Sequence, residues 1–112
     1  MSARLFYVEL PAVGGPPAAF YEQAFGWSLT AFGPNYAATT TGDTDIGLQA
    51  DPAEAPAAPL PVILVDDLEA AQAAVAAAGG TIVKPIFAFP GGRRFHFRDP
   101  TGNELAVCTE DH

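Results

Sequence analysis

Two glycines, Gly26 and Gly80, each follow a stretch of helical character, and the surroundings of the first recur around the second 54 residues further on. At that offset Val8 falls on Val62, and each lies in a β-rich segment ahead of its helix. The order of elements repeats; the letters do not. A chain of 112 residues holds one core and little else. A doubled strand–helix–strands unit therefore predicts one domain, residues 1–112, of α+β class and built from two like modules.

In the first module, residues 4–50, RLFYVEL (4–10) reads as a strand of β-branched and aromatic residues bounded by Pro11. AVGGPP is a turn, and Pro16-Pro17 suits a first helical turn, where a missing N–H costs nothing. The helix AAFYEQAF then puts Pro17, Phe20 and Ala24 on one face, with Tyr21 and Phe25 beside them, before Gly26 ends it. Strands are expected at 27–32, 35–41 and 45–50, separated by Gly33-Pro34 and Gly42-Asp43. Residues 51–59, DPAEAPAAP, have no periodicity and read as a linker.

The second module, residues 60–109, opens with the strand LPVILV (60–65). Asp66 and Glu69 have the spacing of a capping box. The helix that follows carries Leu68, Ala71, Val75 and Ala78 on one face and stops at Gly79-Gly80. Three strands complete the module at 81–88, 93–99 and 104–109, with turns at Gly91-Gly92 and at residues 99–103 (DPTGN).

Charge narrows the partners. Thirteen Asp and Glu against five Lys and Arg give a formal charge of −8, which disfavours nucleic acid and anionic membrane surfaces. Three of the five cations nevertheless sit within six residues, Arg93, Arg94 and Arg98, with His96 among them. The single cysteine, Cys108, excludes an internal disulfide and a multi-cysteine zinc site. MSARLFYVEL lacks the form of a signal peptide, and the apolar runs are too short or too broken to span a bilayer. A cytoplasmic protein is expected.

Several segments resemble the vicinal oxygen chelate superfamily of glyoxalases, bleomycin-resistance proteins and extradiol dioxygenases. Phe20-Tyr21 with Phe25-Gly26-Trp27 is similar to the end of that family's first helix. Val65-Asp66-Asp67-Leu68 and Gly79-Gly80 resemble the borders of its second. Phe97-Arg98-Asp99-Pro100-Thr101-Gly102-Asn103 resembles its final hairpin. The three occur in the family's order over nearly the whole chain. The resemblance implies two βαβββ modules forming curved mixed sheets around a cleft, with the helices outside. It also admits a homodimer, since chains pair in many members.

Metal-using members of the family take ligands from the first and last strand of each module. Here those positions fall on Tyr7 (or Phe6), on Leu60 or Pro61, on Ala106, and on Leu48 or Gln49. Only Gln49 among them resembles a customary ligand. His96 lies off these positions and His112 is the last residue. The expectation is therefore a cleft with no family-type metal and no cofactor.

Strand alternation supplies the remaining candidates. Tyr7 and Glu9 share one face of the first strand, with Phe6, Val8 and Leu10 under the helix. Glu9 is either an acid/base group or a carboxylate matched by a partner or by water. In RRFHFRD, Phe95 and Phe97 take one face and Arg94, His96 and Arg98 the other. The cations then either line the cleft or form a solvated outer face. Glu104, Ala106 and Cys108 share a face, and Cys108 is either a nucleophile or a small buried filler. Trp27, Tyr36, Phe87 and Phe89 read as core or pocket wall.

The sequence thus predicts a protein that binds or sequesters a small aromatic or carboxylate-bearing compound. Glu9 and His96 are its acid/base candidates, Arg94 its anion clamp, and Tyr7, Trp27, Tyr36, Gln49, Glu104 and Cys108 its further ligand contacts. Two alternatives stand beside it: a metal-dependent lyase or dioxygenase using Glu9, Gln49 and Glu104, and an interaction module whose cleft is filled by its own side chains.

Overall fold

A computed structural model of the chain describes residues 2–15 and 17–109; Pro16 and His112, both named above, lie outside the described residues. The elements in chain order are β1 (Ala3–Pro11), α1 (Ala18–Phe25), β2 (Thr30–Ala31), β3 (Tyr36–Ala38), β4 (Asp45–Gln49), β5 (Leu60–Val65), α2 (Leu68–Ala77), β6 (Thr81–Phe89), β7 (Gly92–Arg98) and β8 (Glu104–Thr109). The class is α+β. The described residues form two compact units, one of Tyr7–Leu60 and one that joins residues 2–6 to residues 61–109.

Both units have the same strand connectivity. In Tyr7–Leu60 the order is β2-β3-β4-β1, with β1 parallel to β4 and the other neighbours antiparallel. In the other unit it is β6-β7-β8-β5, with β5 parallel to β8 and the rest antiparallel. A parallel pair needs a long crossover, and in each unit the helix and two strands provide it. The repeat read from Gly26 and Gly80 is a repeat of topology.

The unit containing α2 has a well-formed core. Val65, Leu68, Ala71, Phe95 and Val107 are buried together, with Ile63, Val75, Ile82, Ile86 and Phe97 packed against them. Alternation along β7 sends Phe95 and Phe97 to this core, so Arg94, His96 and Arg98 project from the opposite face. The helix is capped by Asp67, whose carboxylate accepts from the Ala70 N–H at 3.0 Å. Asp66 was the expected cap. Asp67 is the last residue with extended backbone (φ −134°, ψ 100°), so the capping position falls one residue later. Register shifts along β6 on either side of Lys84 bend that long strand against β7.

The unit containing α1 is built differently. No residue of α1 is buried, and the face that carries Pro17, Phe20 and Ala24 is exposed. The aromatic side chains pack on one another instead. Tyr21 and Trp27 stack with centroids 5.7 Å apart, Phe25 lies 5.3 Å from Trp27, and Phe20 meets Tyr21 edge-on at 5.1 Å. The strands are also shorter than expected. Gly33-Pro34 interrupts pairing after β2, Pro having no N–H to give. Beyond Ala38, the Thr39 hydroxyl bonds Asp45 and the Ile46 N–H, a local pattern that competes with a longer ladder. The linker folds into a turn, in which Asp51 accepts from the Ala53 N–H. No helix among the described residues is long and apolar enough to cross a membrane.

Candidate functional site

In Tyr7–Leu60 the polar side chains close on themselves. The parallel β1–β4 register puts Glu9 opposite Gly47, and the antiparallel β3–β4 register puts Tyr36 opposite Gln49. The Tyr7 and Tyr36 hydroxyls bond each other, and Tyr36 donates to Glu9 at 3.5 Å. Both hydroxyls lie in the space that a side chain at residue 47 would fill, so Gly47 is what admits the pair. Glu9 is buried while its neighbours Val8 and Leu10 are half-buried, and it meets Tyr36 on the same side of β1 as Tyr7 does. A buried carboxylate is tolerated there because a phenol supplies its hydrogen bond. Gln49 turns its amide oxygen back to the Asp51 N–H at 3.0 Å. Trp27 stands 41% exposed in the ring stack on α1.

The second unit gathers Arg94, His96 and Glu104 with Phe87 and Phe89. The antiparallel register sets Arg94 opposite Cys108, His96 opposite Ala106, and Arg98 opposite Glu104. On the other side of β7, Phe87 pairs with Arg94 and Lys84 with His96. His96 is 4% exposed. Its Nδ1 lies 2.9 Å from Glu104 Oε2, and its Nε2 is buried with no hydrogen-bond partner among the described residues. The Phe87 ring lies 5.8 Å from the imidazole. The Arg94 guanidinium sits over Phe87 at 5.4 Å and Phe89 at 5.1 Å, and its Nε is likewise buried and unbonded.

The three clustered arginines thus take three environments. Arg93 turns toward α2 and donates to Glu69 at 2.6 Å, which holds the Glu69 carboxyl below its usual range. Arg98 is exposed, 3.8 Å from Glu104. Arg94 faces the aromatic wall. Burial pushes the His96 imidazole below its usual pKa, with the Arg94 and Lys84 cations acting the same way and the Glu104 hydrogen bond opposing them. Burial therefore favours the neutral ring. A carboxylate at Nδ1 fixes the proton on that nitrogen, which leaves a lone pair on Nε2. Cys108 is buried.

The strand positions at which family members hold a metal do not fit one here. Leu60 and Ala106 are buried and apolar, Tyr7 is bonded to Tyr36, and the Gln49 oxygen is engaged. The atypical set fares no better, since Glu9 accepts from Tyr36 and Glu104 holds His96. Among the described residues no three His, Cys, Asp or Glu side chains converge in a metal-holding arrangement. Sequence reasoning had no means of finding the aromatic flanking of Arg94. Phe87 reaches it only through the register shifts of β6, which no alternation rule anticipates. A separate open recess of about 340 Å³, lined by Ser2, Arg4, Leu64, Val65, Asp66 and Thr109, contains none of the candidate residues.

A family model described as Glyoxalase/Bleomycin resistance protein/Dioxygenase superfamily matches residues 18–107. No curated protein sequence matches the chain. Solved structures do. An NAD-dependent benzaldehyde dehydrogenase from Legionella pneumophila superposes with a TM-score of 0.75 at 16% identity, over 94% of this chain and 98% of that one. Methylmalonyl-CoA epimerase from Mycobacterium tuberculosis gives 0.76 at 16%, over 96% and 88%. The Mn(II)-bound glyoxalase from Novosphingobium aromaticivorans gives 0.68 at 21%, over 96% of this chain but 40% of that one. At these identities the likeness is one of fold.

Proposed function

This chain belongs to the glyoxalase/bleomycin resistance protein/dioxygenase superfamily, and on that premise we propose that it binds a small aromatic carboxylate without a family-type metal. One observation carries the reading. Arg94, the cation set against Phe87 and Phe89, shares a strand face with a buried His96 whose Nε2 has no partner. A buried polar atom left unbonded costs free energy that a ligand recovers on binding. Arg94 supplies a planar fork matched to a carboxylate, and the Phe rings supply an apolar wall for an aromatic body. Glu9 is the weaker acid/base candidate, because Tyr36 already bonds it.

The reading extends to the cytoplasm, where the lone Cys108 thiol stays reduced, and to pairing with a second copy, for which the exposed Phe20, Phe25 and Trp27 offer apolar area. Calorimetric titration with benzoate tests the central part. Saturable binding that disappears in Arg94→Met is expected; benzoate binding that is absent, or indifferent to Arg94, sinks it.

A further inference from the structure

The two unbonded atoms of the β7 face differ in kind. Arg94 Nε is a donor. His96 Nε2 is an acceptor, because the Glu104 carboxylate holds the imidazole proton on Nδ1 at 2.9 Å. An anionic oxygen placed against Nε2 would meet a lone pair. A ligand that satisfies both atoms carries an anionic group for Arg94 and, some distance away, a hydrogen-bond donor for His96.

Strand geometry sets the scale of that separation through the backbone. Arg94 and His96 are two residues apart on an extended strand, which separates them by about 6.6 Å along its axis. A benzene ring with substituents at opposite ends spans such a gap; neighbouring substituents do not. The aromatic neighbour common to both is Phe87, 5.4 Å from the guanidinium and 5.8 Å from the imidazole. The charged groups acting on His96 are Lys84 from β6, Arg94 from its own strand and Glu104 from β8, with Arg98 reaching Glu104. None of these groups bonds Nε2.

We propose that the site selects an aromatic acid bearing a hydroxyl across the ring from its carboxylate, the hydroxyl donating its hydrogen to His96 Nε2 and the carboxylate bound by Arg94. Glu104 acts as a positioning residue, holding the imidazole tautomer that accepts. This deepens the aromatic-carboxylate reading above and rests on it.

The experiment compares 4-hydroxybenzoate, 4-methoxybenzoate and benzoate by calorimetry at pH 8. The methoxy compound keeps the oxygen and replaces the hydrogen to be donated with a methyl group. The wild-type protein is expected to bind 4-hydroxybenzoate at least about tenfold more tightly than 4-methoxybenzoate, the scale of one buried hydrogen bond lost. Equal affinities for the two overturn this inference while leaving the carboxylate reading intact. Failure of all three acids to bind overturns both. His96→Leu is expected to bind the hydroxy and methoxy acids equally, and a retained preference in that variant overturns the role of Nε2. If His96→Leu does not fold, the wild-type pair of affinities still decides.

Discussion

α1 and α2 occupy the same place in their βαβββ units, yet α2 buries Leu68 and Ala71 over a continuous core while α1 buries nothing. The polar clusters differ in a parallel way. Tyr7, Tyr36 and Glu9 bond one another, whereas the Arg94–His96–Glu104 group leaves two buried atoms unbonded. One topology therefore carries two allocations of chemistry. The unit with the stronger core is the one that holds unsatisfied polar atoms, consistent with a rigid scaffold supporting a site with a cost of its own. The other unit turns its carboxylate and phenols inward and leaves its rings on the surface.

The sharpest way to break this comparison is to truncate both helices. Leu68→Ala should cost about 2–5 kcal/mol in denaturant unfolding, since it opens a cavity under α2. Phe20→Ala on the exposed face of α1 should stay within about 0.5 kcal/mol. Equal losses would show that α1 packs as α2 does. Next in size is Gly47→Ala, whose methyl group would displace the hydroxyls of Tyr7 and Tyr36 and should cost about 1–3 kcal/mol. An unchanged melting temperature there would dissolve the phenol–carboxylate cluster. Asp67→Ala removes the α2 cap and should cost about 1 kcal/mol, an effect with no counterpart at Pro17, which makes no side-chain cap bond.

The sequence made the topology readable because glycine at helix ends and alternation in strands are local rules, and residues 60–109 obey both. Phe95 and Phe97 went to the core as alternation requires, and that alone placed Arg94 and His96 together. In the first unit the same rules said less. The stripe of Pro17, Phe20 and Ala24 has helical spacing, but spacing says nothing of whether a surface exists to receive it. Alternation puts Glu9 on the Tyr7 face, but its partner was unreadable, because Tyr36 comes from β3, 27 residues away, through a gap that Gly47 leaves open. Long-range pairing of that kind leaves no local trace.

The smallest expected effects are those of pH, and both fall in the second unit. The folded pKa of His96 lies below its unfolded value near 6.5, so folding favours the neutral ring. Its contribution is complete above that value and is lost as pH falls toward the folded pKa. Asp99, bonded by Asn103 and Thr101 in the final turn, is held down to about 2 from 3.8. Its contribution is present above 3.8 and lost as pH falls toward 2. Stability measured against pH should therefore decline below 6.5 through His96 and below 3.8 through Asp99. His96→Leu should abolish the upper decline alone, and a profile unchanged by that substitution would show that His96 titrates as it does in the unfolded chain.

The account stands or falls on where a small anion binds. Titration of isotope-labelled protein with benzoate, followed by the Arg94 Nε–H and His96 imidazole resonances, measures this directly. Progressive, saturable shifts of both are predicted. Saturating benzoate that leaves both resonances in place would contradict the assignment of binding to the β7 face.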